Sequence, residues 1–155
     1  MFVAILAVVG TLAGAALSGA FALRTAGRAE RAVASEQLRR DRLDAVTTLA
    51  AAGSDHRRAM WNRGEAELAR ADQARLDELR AASHVTRSAI TRPLVAVQIL
   101  VPDRALRAAA SEMVVASYRM RDAYTSIEAL AEAREAARTA HDQFIDRAAA
   151  YLTAV

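Results

Sequence analysis

The sequence predicts an all-α protein, in which an N-terminal transmembrane helix and a helical stalk precede an antiparallel four-helix bundle. Three observations support this prediction. Residues 2–23 carry no charge, apolar residues further on recur at helical spacing, and only six glycines and two prolines interrupt the 155 residues. About a quarter of the residues are alanine, the strongest helix former. We place the anchor at 1–23, the charged stalk at 24–44 and the bundle at 45–155.

The apolar N-terminal run is long enough to cross a membrane. As a helix, residues 2–23 would span roughly 30 Å, the thickness of the hydrocarbon core. A cleaved signal peptide is the alternative, with Ala20-Phe21-Ala22 as the cleavage site. However, no Lys or Arg precedes the run, whereas Arg24, Arg28 and Arg31 follow it, and positive charge keeps its side of an anchor in the cytoplasm. We therefore predict an uncleaved, single-pass anchor in the cell membrane, with the N-terminus outside and the bulk cytoplasmic.

Small residues recur every four positions within this run. Gly10, Gly14 and Ser18 would line one face of a helix, where small side chains let two helices approach closely in lipid. This pattern predicts association of copies into a homo-oligomer. It also arises by chance in a run rich in alanine and glycine, and both interpretations stay open.

The formal net charge of +3 lies entirely within the first 60 residues. The rest of the chain balances thirteen arginines against thirteen acids, unlike a nucleic-acid-binding face. Acids are interleaved among the early arginines as well, which makes this segment a weak signature of DNA binding. The arginines could equally contact anionic lipid headgroups or another protein. A membrane-tethered DNA-binding protein is the alternative function. The candidates for contact with an anion or a partner are Arg39, Arg40, Arg42, Arg57, Arg58 and Trp61.

Apolar stripes predict the first two helices of the bundle. The first stripe is Val46, Leu49, Gly53, His56 and Met60. Gly53 and Gly64 lower helix propensity there, which makes kinks or fraying possible. The second stripe is Leu76, Leu79, Ser83, Thr86, Ile90, Pro93, Val97 and Leu100. Pro93 either kinks this helix or ends it at Arg92, with a strand at 94–101. We prefer the kink, because no second strand is available for pairing.

Two further stripes predict helices at about 103–124 and 127–153. The third stripe follows heptad spacing through Leu106, Ala110, Met113, Ser117, Met120, Tyr124 and Ile127. Continued further, it would place Arg134 and Arg138 in the core, so the register must break. Thr125 and Glu128 have capping-box spacing at this point and indicate a new helix. The fourth stripe is Leu130, Ala133, Ala137, Ala140, Phe144, Ala148 and Tyr151.

No constellation of residues predicts chemistry. Cysteine and lysine are absent, which excludes thiolate metal sites and the lysine of a phosphate-binding loop, and His56, His84 and His141 lack the spacing of a helical zinc pair. An acid–base or anion-binding cluster around His56 is the alternative to its place at the margin of the core. We expect His84 and His141 to pack at helix interfaces. The prediction is a non-enzymatic protein without cofactor or metal that acts by assembly.

Several segments together suggest a family. They are AVVGTLAG, EQLRRDRLDAVTTLAA, DHRRAMW, SHVTRSAITRPLVA and AREAARTAHDQF, and they extend over nearly the whole chain. In these segments the chain resembles the small membrane-associated spread proteins of conjugative plasmids from streptomycete-like actinobacteria, typified by the KilB proteins. The resemblance implies a role in plasmid spread between mycelial compartments, beside a membrane-associated DNA translocase as partner. It implies no catalytic residue.

Overall fold

The computed structural model describes the backbone of residues 2–154 and the side chains of residues 27–153 except Ala29. Its elements are α1 (Phe2–Leu68), α2 (Gln73–Leu100), α3 (Arg104–Arg119), a short 3-10 helix (Met120–Ala123) and α4 (Ile127–Ala154). The described part of the chain contains no strand, which confirms the all-α prediction and excludes a strand at 94–101. Pro93 lies inside α2, so the helix continues past it, as the preferred interpretation expected.

The chain divides into two compact units, Met1–Leu38 and Arg39–Val155. The predicted anchor 1–23 lies outside the residues whose side chains are described. The same holds for Gly10, Gly14 and Ser18 within it, and for Arg24 directly after it. Within the part that is described, no helix combines the length and the apolar character needed to cross a membrane. In the first unit, the side chains of Arg28 and of residues 30–38 are exposed.

The second unit is an antiparallel four-helix bundle, and cross-helix contacts fix its directions. Arg42 meets the carbonyl oxygen of Leu100, and further along α1 His56 meets Thr86, so α2 runs antiparallel to α1. Gln98 of α2 hydrogen-bonds to Ser111 of α3 across the next turn. The side chain of His141 on α4 lies 3.3 Å from the carbonyl oxygen of Ala50. Arg134 precedes His141 and lies over Trp61, which follows Ala50, so α4 runs antiparallel to α1.

The four predicted stripes form the core of this bundle. Every residue of the first stripe is buried, and those of the others are buried or half-buried, with one exception. Ile127 is 46% exposed, because α4 begins there and the heptad register of α3 has already ended in the 3-10 helix. The larger part of the core surrounds Leu49, Ile90, Met113 and Phe144, and a smaller part surrounds Met60, Met120, Leu130 and Ala137.

Gly53 of the first stripe and Gly64, one turn beyond its end, are packing positions. α1 continues through both of them to Leu68. A Cβ atom at Gly53 would lie 3.1 Å from Cε of Met113. A Cβ atom at Gly64 would lie 2.7 Å from Cδ2 of Leu130 and 2.7 Å from Cε1 of Tyr124. The absence of side chains there lets α3 and α4 approach α1 closely.

Local hydrogen bonds begin the later helices. Carboxylate oxygens of Asp72 and Asp103 accept from the backbone N–H groups of Arg75 and Leu106, which satisfies donors that the first turn leaves free. At α4 the predicted cap is one residue too early. The helix begins at Ile127, and the hydroxyl of Ser126, rather than that of Thr125, accepts from the N–H of Ala129 at 3.1 Å.

The end of α1 is closed by a residue with an unusual backbone. The N–H of Ala71 donates to the carbonyl of Ala66 and that of Arg70 to Glu67, the paired bonds of a Schellman motif. Arg70 takes the position that glycine usually occupies, with a φ of 53°. A side chain in the left-handed region is strained, whereas glycine is not.

Replacing Arg70 with glycine is therefore expected to raise the free energy of unfolding by up to about 1 kcal/mol. Chemical denaturation followed by circular dichroism measures the change. Arg80→Gly, in the exposed interior of α2, is the matched control and should lower stability by about 1 kcal/mol. A loss of stability in Arg70→Gly would contradict this account of the turn.

Candidate functional site

The predicted contact arginines have different fates in the structure. Arg39 and Arg40 are exposed on α1. Arg42 turns into the bundle, where its Nε donates to the carbonyl oxygen of Leu100 at 2.8 Å and its guanidinium lies 5.9 Å from the ring centre of Tyr151. The last carbonyl groups of a helix have no partner within the helix, and the Arg42 guanidinium supplies a hydrogen-bond donor and a positive charge at the C-terminal end of α2. Arg42 thus has a structural role.

Arg57 and Trp61 are brought together, while Arg58 is not part of the same site. Arg57 and Trp61 are four residues apart on α1 and share one face. Arg58 points elsewhere and pairs with Asp55 at 2.7 Å, with 71% of its side chain exposed. α4 supplies the opposite wall. The resulting cavity of about 300 Å³, here called the arginine pocket, is lined by Arg57, Trp61, Ala131, Arg134, Glu135 and Arg138.

Two arginines of α4 are held in place by their neighbours. The guanidinium carbon of Arg134 lies 4.5 Å from the ring centre of Trp61, a cation–π contact. Arg138 binds Glu135 through two hydrogen bonds, of which that from Nε to Oε2 measures 2.9 Å, and also donates to Asp142 at 3.2 Å. These bonds hold the pKa of the Glu135 carboxyl below its usual value and raise that of the Arg138 guanidinium.

Arg57 is the least satisfied group of the pocket. Its Nη2 donates to the hydroxyl of Ser54 at 3.0 Å, but its Nη1 is buried and has no hydrogen-bond partner among the described residues. Burial lowers the pKa of the Arg57 guanidinium, Asp142 opposes this effect, and Arg134 and Arg138 add to it. A buried donor without an acceptor costs free energy.

The sequence pointed to half of this pocket. Arg57 and Trp61 were candidates, whereas Arg134 and Arg138 appeared only as residues that could not belong to the core. Their spacing of four residues on α4 was a signal that they share a face. That this face meets Arg57 depends on how α1 and α4 are paired.

A second polar cluster lies inside the bundle. His56 is only 2% exposed, in the core itself rather than at its margin, and its Nδ1 lies 3.0 Å from the hydroxyl of Thr86. The single proton of that hydroxyl can be donated to the carbonyl of Ala82 or of Ser83, and the hydroxyl then accepts from the Nδ1–H of His56. The imidazole meets the ring of Tyr118 edge-on at 5.3 Å. Burial, reinforced by the charge of Arg87, lowers the pKa of His56 to about 4, so the ring is neutral near pH 7.

The other two histidines differ from each other. His141 is at a helix interface as predicted, within 3.3 Å of the carbonyl oxygen of Ala50. His84 is exposed, and the expectation that it packs at an interface is wrong. Across the described residues, no group of three His, Asp or Glu side chains is arranged to hold a metal ion.

These features define a small all-α protein whose four-helix bundle carries an arginine-lined pocket. A family model described as "KilB plasmid transfer protein" matches residues 43–152. The chain is also 41% identical over 149 residues to Protein KilB of Streptomyces lividans, an alignment that covers 96% of this chain and 97% of that protein. The chain belongs to the KilB family of plasmid transfer proteins, which confirms the resemblance. No solved structure matches it.

Proposed function

We propose that this chain is a membrane-anchored, self-associating and non-enzymatic component of plasmid transfer and spread. Membership of a family of plasmid transfer proteins supports a role in plasmid transfer. The observation that carries the anchoring is the uncharged run 2–23, followed directly by Arg24, Arg28 and Arg31. Anchoring in the cell membrane confines copies to two dimensions, so weak contacts between bundles gain avidity. The bundle then faces the cytoplasm and meets a conjugative DNA translocase.

The location is tested by fractionating cells that produce the full-length chain. We expect it to stay with the membranes after washing with high salt and alkali and to leave them only in detergent. A tag at the N-terminus should be cleaved by protease added outside intact protoplasts, whereas a C-terminal tag should be protected. Release by salt alone, or protection of the N-terminal tag, would contradict the proposed topology.

Self-association is tested at the small residues of the anchor. Gly14→Ile places a branched side chain on the face that Gly10, Gly14 and Ser18 would share, so we expect the oligomer in detergent to dissociate while membrane insertion is unchanged. Ala16→Ile is the matched control, because it adds a similar side chain to the opposite face of a helix. Light scattering in detergent gives the particle mass. A monomeric wild type, or equal loss in both variants, would contradict assembly through this face.

Direct DNA binding is the second candidate function. The observation in its favour is that Arg28, Arg31 and Arg39 are exposed on α1. Binding through these arginines would weaken steeply with salt, because each phosphate contact releases a counterion. A gel shift of duplex DNA by the full-length chain at several salt concentrations tests it. The absence of a salt-sensitive shift would leave assembly as the function.

A further inference from the structure

We infer that the arginine pocket binds a carboxylate side chain of an acidic protein segment. This assignment goes beyond the proposed function, because neither anchoring nor self-association requires it. Four features carry it: an unsatisfied buried donor, the charge balance of the pocket, the fixed position of a second guanidinium, and the size of the cavity.

The unsatisfied donor is Nη1 of Arg57. It is buried and has no partner among the described residues, while Nη2 of the same guanidinium is already engaged by Ser54. Buried polar groups in native proteins are nearly always hydrogen-bonded, and an exception calls for an explanation. Nη1 is closed to solvent in this structure, so an acceptor that enters the cavity from outside reaches it once the Arg57 guanidinium turns toward the cavity. Since the donor is charged, an anionic acceptor forms the stronger bond.

The charge balance favours a single negative charge. The pocket contains three guanidinium groups, and the two carboxylates bound to Arg138 are those of Glu135 and Asp142. The site therefore has one uncompensated positive charge. A carboxylate neutralises it, whereas a doubly charged phosphate would leave an excess negative charge beside Glu135. Guanidinium groups also match the planar, two-oxygen geometry of carboxylates.

Arg134 supplies the second donor group in a fixed position. Its guanidinium carbon lies 4.5 Å from the ring centre of Trp61, and this cation–π contact uses none of the N–H donors of the group. No hydrogen bond joins the Arg134 side chain to another of the described residues. Arg138 is already hydrogen-bonded to Glu135 and Asp142 and is not expected to bind the ligand directly. The expected carboxylate lies between Arg57 and Arg134.

The size of the cavity indicates which kind of molecule carries the carboxylate. About 300 Å³ is at the lower end for small-molecule sites and suits one side chain. Two charge-assisted bonds at a partly open site support only about millimolar binding. The ligand must therefore make contacts beyond the pocket, as an acidic peptide segment does and a free amino acid does not.

The chain contains its own probe, since Trp61 is the single tryptophan and lines the pocket. The full-length protein in a non-ionic detergent at low salt is titrated with hexaglutamate, free glutamate and inorganic phosphate while Trp61 emission is recorded. We expect a saturable change with hexaglutamate, half-complete at a concentration at least about tenfold below that of glutamate. Hexalysine should leave the emission unchanged.

Variants separate the pocket from general attraction between charges. Arg57→Gln and Arg134→Gln should each weaken hexaglutamate binding by about tenfold or more, since each removes a charge-assisted bond. Arg58→Gln is the matched control. It removes the same charge from the adjacent position, outside the pocket, and should change binding less than about twofold. Circular dichroism verifies the folding of each variant, and Arg134→Gln, at an exposed position, provides the test if Arg57→Gln does not fold.

Three results would overturn the inference. The first is the absence of a saturable change with hexaglutamate. The second is a loss in Arg58→Gln as large as that in the pocket variants, which would indicate general electrostatics. The third is inorganic phosphate or free glutamate binding as tightly as hexaglutamate, which would assign the pocket to a small anion.

Discussion

Replacing Gly64 with leucine is expected to lower the free energy of unfolding of the bundle by about 3 kcal/mol, at the upper end for overpacking. Even a single carbon at this position of α1 would come within 2.7 Å of both Leu130 and Tyr124. Leucine adds three more carbons in the same direction. The gain in helix propensity, about 1 kcal/mol over glycine, is too small to offset this overlap.

The neighbours of Gly64 have little freedom to move away. Leu130 is fully buried in the smaller part of the core. The hydroxyl of Tyr124 donates to the carbonyl oxygen of Met60 at 2.7 Å, and burial raises the pKa of Tyr124 to about 12, so this donor persists at any ordinary pH. Displacing the Tyr124 ring would break the bond. Either response to the leucine therefore costs stability.

Denaturation of the full-length chain, followed by far-ultraviolet circular dichroism, measures the effect. Gly27→Leu is the matched control, because it makes the same change in α1 where a Cβ atom would have nothing within 4 Å. That variant should leave the bundle transition unchanged. If Gly64→Leu proved as stable as the wild type, the close approach of α4 to α1 at this residue would be wrong.

The core of the bundle was predictable because burial in a helical bundle follows the helical period. The stripes from Val46, Leu76, Leu106 and Leu130 onward identified the buried face of each helix before any contact was known. Gly53 belongs to the first stripe, and Gly64 continues it. Helix propensity alone indicated only that these glycines weaken the helix. Their packing role depends on Met113 and Tyr124 from distant parts of the chain, which the local sequence does not show.

Helix ends were predictable where a side chain caps the backbone, and less so elsewhere. α3 begins at Arg104, next to the predicted start at about residue 103, and the carboxylate of Asp103 caps it. Thr125 and Ser126 are both good caps, and the choice between them depends on how the chain leaves the 3-10 helix. The end of α1 has no glycine at all. Arg70 takes the left-handed conformation there, which no local rule of sequence predicts.

The arginine pocket was predictable only on one side. Arg57 and Trp61 share a face at helical spacing, which the sequence shows directly. Arg134 and Arg138 come from α4, and only the antiparallel register of α1 and α4 places them opposite. Likewise, the sequence put His56 in a core stripe, but its full burial requires the acceptor that Thr86 provides from α2. Both clusters are tertiary in origin.

Acidification is expected to destabilise the bundle through His56. The pKa of His56 is about 4 in the folded protein, against an ordinary value of 6.5. Between these two values the unfolded chain binds a proton that the folded chain does not. Stability is therefore complete above about pH 6.5 and is lost as the pH falls to about 4, by a total of about 3 kcal/mol.

The pKa of His56 is low because the imidazole is buried and no acid among the described residues lies near enough to stabilise its protonated form. The imidazole is enclosed by Tyr118 and Thr86, and the nearby guanidinium of Arg87, 4.3 Å from the ring centre of Tyr118, repels a second positive charge. His56→Asn keeps an N–H donor toward Thr86 and cannot be protonated in this range. Its stability should be lower than that of the wild type at neutral pH, because the smaller side chain leaves a cavity, but it should lose about 3 kcal/mol less than the wild type between pH 6.5 and 4.

His84→Asn is the matched control, since His84 is exposed on α2 and should leave the pH dependence of the wild type intact. The midpoint of urea unfolding, measured at half-unit steps of pH, separates the two variants. Exposed acids such as Glu135, whose carboxyl pKa is also lowered, contribute equally to all three proteins and cancel in the comparison. If the loss of stability on acidification were the same in His56→Asn as in the wild type, the neutral buried histidine would not be its source.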